Sequence, residues 1–86
     1  MIKISAVVIT YNEEHSIGLC LKTLKSVADE IVVVDSFSND KTKAICVGSG
    51  VKFVEHIFEG HIQQKNFAVS QASNDFILSL DADEYL

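Results

Sequence analysis

Three carboxylates, those of Asp81, Asp83 and Glu84, directly follow the apolar stretch 76–80. On an extended chain, side chains two residues apart lie on the same side, about 6.5–7 Å from each other. That separation is too long for both aspartates to bind one ion. Either the chain curls after Leu80, or the two acids have different partners, such as a hydroxyl and a metal. Hard oxygen ligands favour Mg²⁺ or Mn²⁺ over Zn²⁺. The alternative without a ligand is a solvated acidic stretch.

Four short apolar runs predict the strands that must position these acids. The runs are 4–9, 31–34, 51–54 and 76–80, and they are rich in β-branched residues. Because apolar residues occupy consecutive positions in these runs, interrupted only at Ser5, Lys52 and Ser79, the runs are typical of strands that are covered on both faces.

Helical patterns separate the four runs. The first has an apolar face formed by Ile17, Cys20, Leu21, Leu24, Val27 and Ala28. We expect Asn12 or Ser16 to cap this helix. The second helix is expected to begin near 38–40, where Ser38 and Asp40 are both suitable caps, and to end at Gly48 or Gly50. The third is expected over 61–72, with a face formed by Ile62, Lys65, Ala68, Val69 and Ala72. The order β-α-β-α-β-α-β predicts an α/β fold, an open parallel sheet with alternating helices.

Polar residues follow three of the four predicted strands. They are Thr10 to Glu13 after the first strand, Asp35 and Ser36 after the second, and Asp81 to Glu84 after the fourth. In an open parallel sheet, the carboxyl ends of the strands meet at one edge, where ligands bind. We therefore expect these residues to share one crevice. Taken singly, Asp35 could be a turn residue and Tyr11 a packed residue of the rim.

Composition limits the class of ligand. The 86 residues suit one small domain, and the formal net charge of −5 argues against a nucleic-acid or polybasic membrane surface. No apolar stretch approaches the length of a membrane span. Cys20 and Cys46 are expected to be reduced core residues, and the three histidines lack metal-ligand spacing. The segment ITYNEE after the first strand contains no glycine, which excludes dinucleotide and Walker phosphate loops. Bound phosphates would therefore need a bridging cation.

Three segments together resemble a known family. VVITYNEEHSIGLCLKTL, EIVVVDSFSNDKTKAI and GHIQQKNFAVSQASNDFILSLDADE are similar, in order and spacing, to the N-terminal half of family 2 glycosyltransferases, which have the GT-A fold. The similarity is greatest to a bacterial β-1,4-glucosyltransferase-like group that builds lipopolysaccharide core. Phe37 stands where the family prefers glycine, so the turn after the second strand is expected to differ. Ser36 replaces an aspartate found in many relatives, although this group shares the serine.

The resemblance implies a role for individual residues. Thr10 and Tyr11 would contact and stack on uracil, with Glu13 beside them in the nucleotide site. Asp35 would accept the uracil N3 hydrogen, and Lys65, next to Asn66, would lie near the nucleotide. Asp81 would meet the ribose hydroxyls or the outer shell of a metal. Asp83 would bind that metal, Mn²⁺ or Mg²⁺, directly.

The resemblance also implies a function. Residues 1–86 would be the donor-binding half of a longer, cytoplasmic enzyme, which could be peripheral to the inner face of the membrane. That enzyme would transfer a sugar, with glucose favoured, from a UDP-sugar to a glycan or glycolipid acceptor with inversion. Its acceptor half and catalytic base would lie downstream, so the 86-residue chain would be inactive. Lacking that half, the chain would expose Val7, Val8, Ile9, Ile77, Leu78 and Leu80 and would self-associate. The alternative is a non-catalytic regulatory α/β module that binds a nucleotide or metal.

Overall fold

The computed structural model describes residues 2–82, which form a four-stranded parallel sheet flanked by three helices. In chain order the elements are β1 (Ile4–Thr10), α1 (Ile17–Leu24), β2 (Glu30–Asp35), α2 (Thr42–Gly48), β3 (Lys52–Glu55), α3 (His61–Ser70) and β4 (Phe76–Asp81). The strands lie side by side in the order β3-β2-β1-β4, and every pair is parallel. This confirms the predicted α/β fold and the order of its elements.

The two central strands, β1 and β2, are buried on both faces. Alternate residues of β1 contribute to opposite cores, with Val8 packing on one side of the sheet and Val7 on the other. In β2, Val32, Val33 and Val34 are all 0% exposed. Branched side chains on consecutive positions suit this environment, because each residue of a strand points to the face opposite its neighbour.

The helices divide between the two faces of the sheet. The larger core lies under α1 and α2 and is formed by Ala6, Val8, Ile17, Cys20, Leu21, Leu24, Ile31, Val33, Cys46 and Ala82. The smaller core lies under α3, where Ala68 packs against β1 and β2, with Phe67 at its margin. The connections through α1 and α2 move in one direction across the sheet, whereas α3 returns from β3 to β4. Right-handed crossovers therefore place α3 on the opposite face. Within residues 2–82, no helix is long and apolar enough to cross a bilayer.

The first helix is shorter than its apolar pattern predicts. Ser16 precedes α1 but makes no capping hydrogen bond with its side chain. Asn12 does not cap the helix either, because its side-chain oxygen accepts a hydrogen bond from the Asn39 N–H at 2.9 Å. At the other end, α1 stops at Leu24, and Val27 is 44% exposed in the following turn. The extension of the apolar face to Val27 was therefore wrong.

The second helix begins at Thr42, later than the predicted start at 38–40. Ser38, one of the two expected caps, has another partner, because its hydroxyl donates to the Asp35 carboxylate. Asp40 accepts hydrogen bonds from the Thr42 and Glu14 N–H groups, so it links the helix start to the loop after β1. The predicted end is confirmed, since α2 stops at Gly48 and Gly50 has the left-handed φ of 76°.

The third helix buries only part of the predicted face, because Ala68 is buried and Ala72 packs against the smaller core, whereas Ile62 and Val69 face away from it. Gln64 and Ala68 are its buried residues, whereas Ile62 is 74% and Val69 40% exposed. The prediction assumed that the apolar residues Ile62 and Val69 face the core. The position that does face the core carries a polar residue, Gln64, so the hydrophobic pattern did not indicate it. Gln64 can be buried because its amide is hydrogen-bonded on both sides.

All four strands were predicted to be covered on both faces. For β4 this prediction was wrong, because β4 is an edge strand with exposed apolar residues. Phe76 is 58% and Ile77 38% exposed. The expected exposure of β1 was wrong, because Val7 and Val8 are no more than 1% exposed under helices on both sides. Self-association of the chain stays a prediction, and the exposed apolar residues that support it here, Phe76 and Ile77, belong to the edge strand β4.

Candidate functional site

The carboxyl ends of β1, β2 and β4 open into one pocket, together with the segment that leads into α3. This strand-end pocket has a volume of about 250 Å³. It is lined by Ile9, Thr10, Tyr11, Glu13, Ser36, Phe58, His61, Gln64, Asp81 and Ala82. The predicted convergence of polar residues at this edge is therefore present in the structure.

Thr10 contributes a buried hydroxyl to the pocket. It is the last residue of β1 and is only 6% exposed. Its backbone carbonyl accepts a hydrogen bond from the Ser36 N–H at 3.1 Å, which joins the ends of β1 and β2. Its side-chain Oγ1 has no hydrogen-bond partner within residues 2–82. A buried hydroxyl without a partner destabilises the fold, so this atom points to a ligand that would complete its hydrogen bonding.

The loop after β1 is held by side chains of the loop after β2 and of the first residue of α2. The Asn12 N–H donates to Ser38 Oγ at 2.7 Å, and the Glu13 N–H donates to Thr42 Oγ1 at 3.0 Å. Asn12 itself has the left-handed φ of 50°, which asparagine tolerates better than most residues. This arrangement leaves Tyr11 55% exposed beside the pocket and holds Glu13 half-buried in its wall.

Asp35 lies at the same edge but is buried beneath it. The residue is 0% exposed, and its two carboxylate oxygens accept hydrogen bonds from the Ser38 N–H and the Ser38 hydroxyl. In the structure this carboxylate shapes the turn after β2, where Phe37 has a φ of 61°. Phe37 therefore has a left-handed conformation, which glycine, the residue that the family prefers at this position, adopts without strain. A contact between Asp35 and a nucleotide stays a prediction.

Asp81 ends β4 and lies in the wall of the pocket. It is paired with Ile9 in the register between β4 and β1, and the next N–H, that of Ala82, donates to the Ile9 carbonyl at 3.1 Å. The chain therefore stays extended beyond Leu80, so Asp81 follows the strand direction and does not enter a curl at that point. Asp83 and Glu84 lie outside the described residues.

The pocket suits a hard cation only in combination with further oxygens. Glu13, Asp81 and Thr10 offer oxygen atoms alone, which is the chemistry that Mg²⁺ and Mn²⁺ prefer. Across the described part of the chain, however, no three His, Cys, Asp or Glu side chains are grouped as a metal site. The remaining ligands would have to come from Asp83, from water or from a bound phosphate.

The structure separates Lys65 from the pocket and adds residues that the sequence did not reveal. Lys65 is exposed on α3 and is absent from the lining. Phe58, His61 and Gln64 line the pocket instead, and the rings of Phe58 and His61 make an edge-to-face contact at 5.2 Å. Phe58 belongs to the segment that follows β3 and His61 begins α3, so the rule on the carboxyl ends of parallel strands, applied to the third strand as well, could have indicated this segment.

Comparison with known proteins agrees with this architecture. The model of the family described as glycosyl transferase family 2 matches residues 5–86. The chain belongs to glycosyl transferase family 2. A glycosyltransferase from Rickettsia bellii, of uncharacterised activity, is 46% identical over 84 residues, which are 98% of this chain and 29% of that protein. A lipopolysaccharide core biosynthesis glycosyltransferase from Rhizobium meliloti is 39% identical over 96% of this chain and 32% of that protein. The family 2 chain thus spans about a third of the length of these relatives.

Solved structures show the same fold. Glucosyl-3-phosphoglycerate synthase from Mycobacterium tuberculosis, solved with Mn²⁺, UDP and glucosyl-3-phosphoglycerate, superposes with a TM-score of 0.83 at 22% identity. The match covers 96% of this chain and 35% of that one. The same synthase has also been solved with Mg²⁺ and UDP. The likeness confirms the GT-A fold expected for a family 2 member.

Proposed function

We propose that this chain binds the nucleotide part of a UDP-sugar, with a divalent cation, in the strand-end pocket of a longer sugar transferase. The observation that carries the proposal is the convergence of Thr10, Glu13 and Asp81 on one pocket whose buried Thr10 hydroxyl lacks a partner within residues 2–82. Membership of glycosyl transferase family 2 supports the reaction class.

The polar groups of the pocket suit the chemistry of a nucleoside diphosphate. Tyr11, Phe58 and His61 provide aromatic surface on which a base could stack, and the hydroxyls of Thr10 and Ser36 can bond to ring or ribose oxygens. The negative charge of Glu13 and Asp81 would repel a diphosphate on its own. A cation between these carboxylates and the phosphates would offset that repulsion.

When bound, the cation would act as a Lewis acid that stabilises the departing diphosphate. Within this chain, Asp81 and Glu13 would hold it, with Asp83 as the expected direct ligand. Asp35 would support the site from below through the turn at Ser38. We expect Lys65 to approach a bound nucleotide only through its long side chain, because its position on α3 is exposed.

For the whole protein we propose inverting transfer of a sugar, with glucose favoured, to a glycan or glycolipid acceptor on the cytoplasmic side. The name of the Rhizobium meliloti relative and the UDP complexes of the M. tuberculosis synthase support the acceptor class and the donor class, respectively. We assign no catalytic base to residues 2–82, so the 86-residue chain is expected to bind a donor without transferring its sugar.

Isothermal titration calorimetry of the chain with UDP tests this proposal. We expect binding in the presence of MnCl₂, and its loss in EDTA or in the variant Asp81→Asn. Asp75→Asn is the matched control, because Asp75 is exposed immediately before β4, at the end of the strand opposite to the pocket. Equal affinity with and without EDTA would remove the cation from the proposal. The absence of any binding would overturn the proposed function.

A further inference from the structure

A hydrogen-bonded chain of three side chains, with a buried glutamine at its centre, runs from the end of β3 to the strand-end pocket. His56 Nδ1 lies 3.0 Å from Gln64 Oε1, and Gln64 Nε2 lies 3.1 Å from Ser36 Oγ. Gln64 is only 1% exposed, although it is a polar residue of α3. Ser36 and Gln64 both contribute to the lining of the pocket, so the chain ends where a ligand would lie.

His56, at the start of this chain, is held by two further contacts, one of its backbone and one of its ring. Its backbone N–H donates to the Asp35 carbonyl at 2.9 Å, which fixes the chain beside the end of β2. The ring stacks on Phe67 of α3, with the centroids 3.7 Å apart and the planes at 18°. The position of Nδ1 relative to Gln64 is thus set by contacts from both α3 and the sheet.

The chemistry of each group fixes the direction of the hydrogen bonds. In the observed orientation of the amide, Oε1 faces His56 and Nε2 faces Ser36, so Ser36 Oγ accepts from Gln64, and a hydrogen bond from His56 to Gln64 requires a proton on Nδ1. The Ser36 hydroxyl, which accepts from Gln64 at 3.1 Å, then has its own proton available for another acceptor. The opposite tautomer of His56 would reverse the amide, and Ser36 would then donate to Gln64 and not to the pocket.

We propose that Gln64 is a positioning residue that makes the Ser36 hydroxyl a hydrogen-bond donor to an oxygen atom of the bound nucleotide. This inference rests on the proposed function and deepens it. Ser36 would recognise an acceptor such as a base carbonyl or a ribose oxygen, and would discriminate against ligands with an N–H group at that place. His56 acts one step further away, by holding the amide of Gln64 in the orientation that donates to Ser36.

Calorimetry with UDP and MnCl₂ tests the inference through a double-mutant cycle of Ser36→Ala and Gln64→Met. Loss of a neutral hydrogen bond corresponds to roughly three- to tenfold weaker binding, which we expect for Ser36→Ala. Gln64→Met keeps the length of the side chain but removes the donor, and it should weaken UDP binding about threefold in the wild-type background. In the Ser36→Ala background it should have no further effect. Gln63→Met, an identical change at the exposed neighbouring position, is the control and should leave binding unchanged.

The tautomer of His56 gives a second readout that needs neither a ligand nor a variant. Long-range ¹H–¹⁵N correlations of the imidazole should show the Nδ1–H form in the free chain. The Nε2–H form would overturn the inference, as would a threefold loss from Gln64→Met that persists in the Ser36→Ala background. If either of these two results is obtained while the wild-type chain still binds UDP, the proposed role of Gln64 is wrong but the proposed function stands. A wild-type chain that does not bind UDP would overturn the proposed function and, with it, the contact to the nucleotide.

Discussion

Replacing Thr10 by valine should stabilise the free protein and weaken its binding of UDP. The hydroxyl of Thr10 is buried at the end of β1, and Oγ1 has no partner within residues 2–82. Leaving a buried polar group unsatisfied costs about 1–3 kcal/mol. Valine has the same branched shape and suits a central strand at least as well as threonine. We therefore expect Thr10→Val to raise the free energy of unfolding by about 1 kcal/mol.

Thr42→Val is the matched control for this change. Thr42 is 0% exposed, but its Oγ1 accepts the Glu13 N–H at 3.0 Å. The same substitution there leaves the Glu13 N–H without that acceptor and should lower the stability by about 1–3 kcal/mol. The two variants differ in whether the hydroxyl that is removed has a partner in the free protein.

Thermal unfolding followed by circular dichroism separates the two outcomes. For a domain of this size, 1 kcal/mol corresponds to a shift of roughly 4–8 °C in Tm. We expect Tm to rise for Thr10→Val and to fall for Thr42→Val, while UDP affinity in MnCl₂ falls about tenfold for Thr10→Val. If Thr10→Val destabilised the chain as much as Thr42→Val, the hydroxyl would have a partner in the free protein, and the reasoning from its burial would be refuted.

Three further predictions concern charge, a thiol and the backbone. The pKa of Glu30 is lowered by hydrogen bonds from the Ser73 N–H and the Ser5 hydroxyl. These hydrogen bonds therefore stabilise the fold at a pH above the ordinary carboxyl pKa, and this stabilisation is lost as the pH falls through the lowered pKa of Glu30. The Tm of wild type should therefore exceed that of Glu30→Gln at pH 7, and the two should converge in acid. Burial, with the nearby charge of Asp35, raises the pKa of Cys46 to about 12, so alkylation by iodoacetamide at pH 8 should be slow until urea unfolds the chain. Phe37→Gly should raise the stability by about 1 kcal/mol in urea titrations, because the φ of 61° is strained for phenylalanine, whereas Phe37→Ala, which keeps the Cβ, should not.

The order of the elements could be predicted because the central strands have an unambiguous pattern. Branched apolar residues on consecutive positions, as in 31–34, occur where a strand is covered on both faces, and α1 and α3 provide that cover for β1. The edge position of β4 could not be predicted, because its run of apolar residues resembles that of a central strand. Only the pairing of β4 with β1 on one side shows that it is an edge.

The convergence of the site could be predicted, but the partners of its side chains could not. Topology alone brings Thr10 and Asp81 to one edge of the sheet. Ser38 looked like a cap for its own helix, whereas its side chain binds Asp35 and the Asn12 N–H. Gln64 is buried because of partners that lie 8 and 28 residues away in the chain, and a local pattern carries no information on such contacts.

The most direct test of the central claim, that the strand-end pocket binds a uridine nucleotide with a cation, is an NMR titration of the ¹⁵N-labelled chain with UDP and MgCl₂. We expect amide shifts to change at Thr10, Tyr11, Ser36 and Gln64 and to stay constant at the opposite end of the sheet, where Lys25, Glu30 and Lys52 line a second cavity. The changes should be smaller with ADP and should disappear when EDTA removes the cation. Shifts centred on the second cavity, or equal responses to ADP and UDP, would contradict the claim.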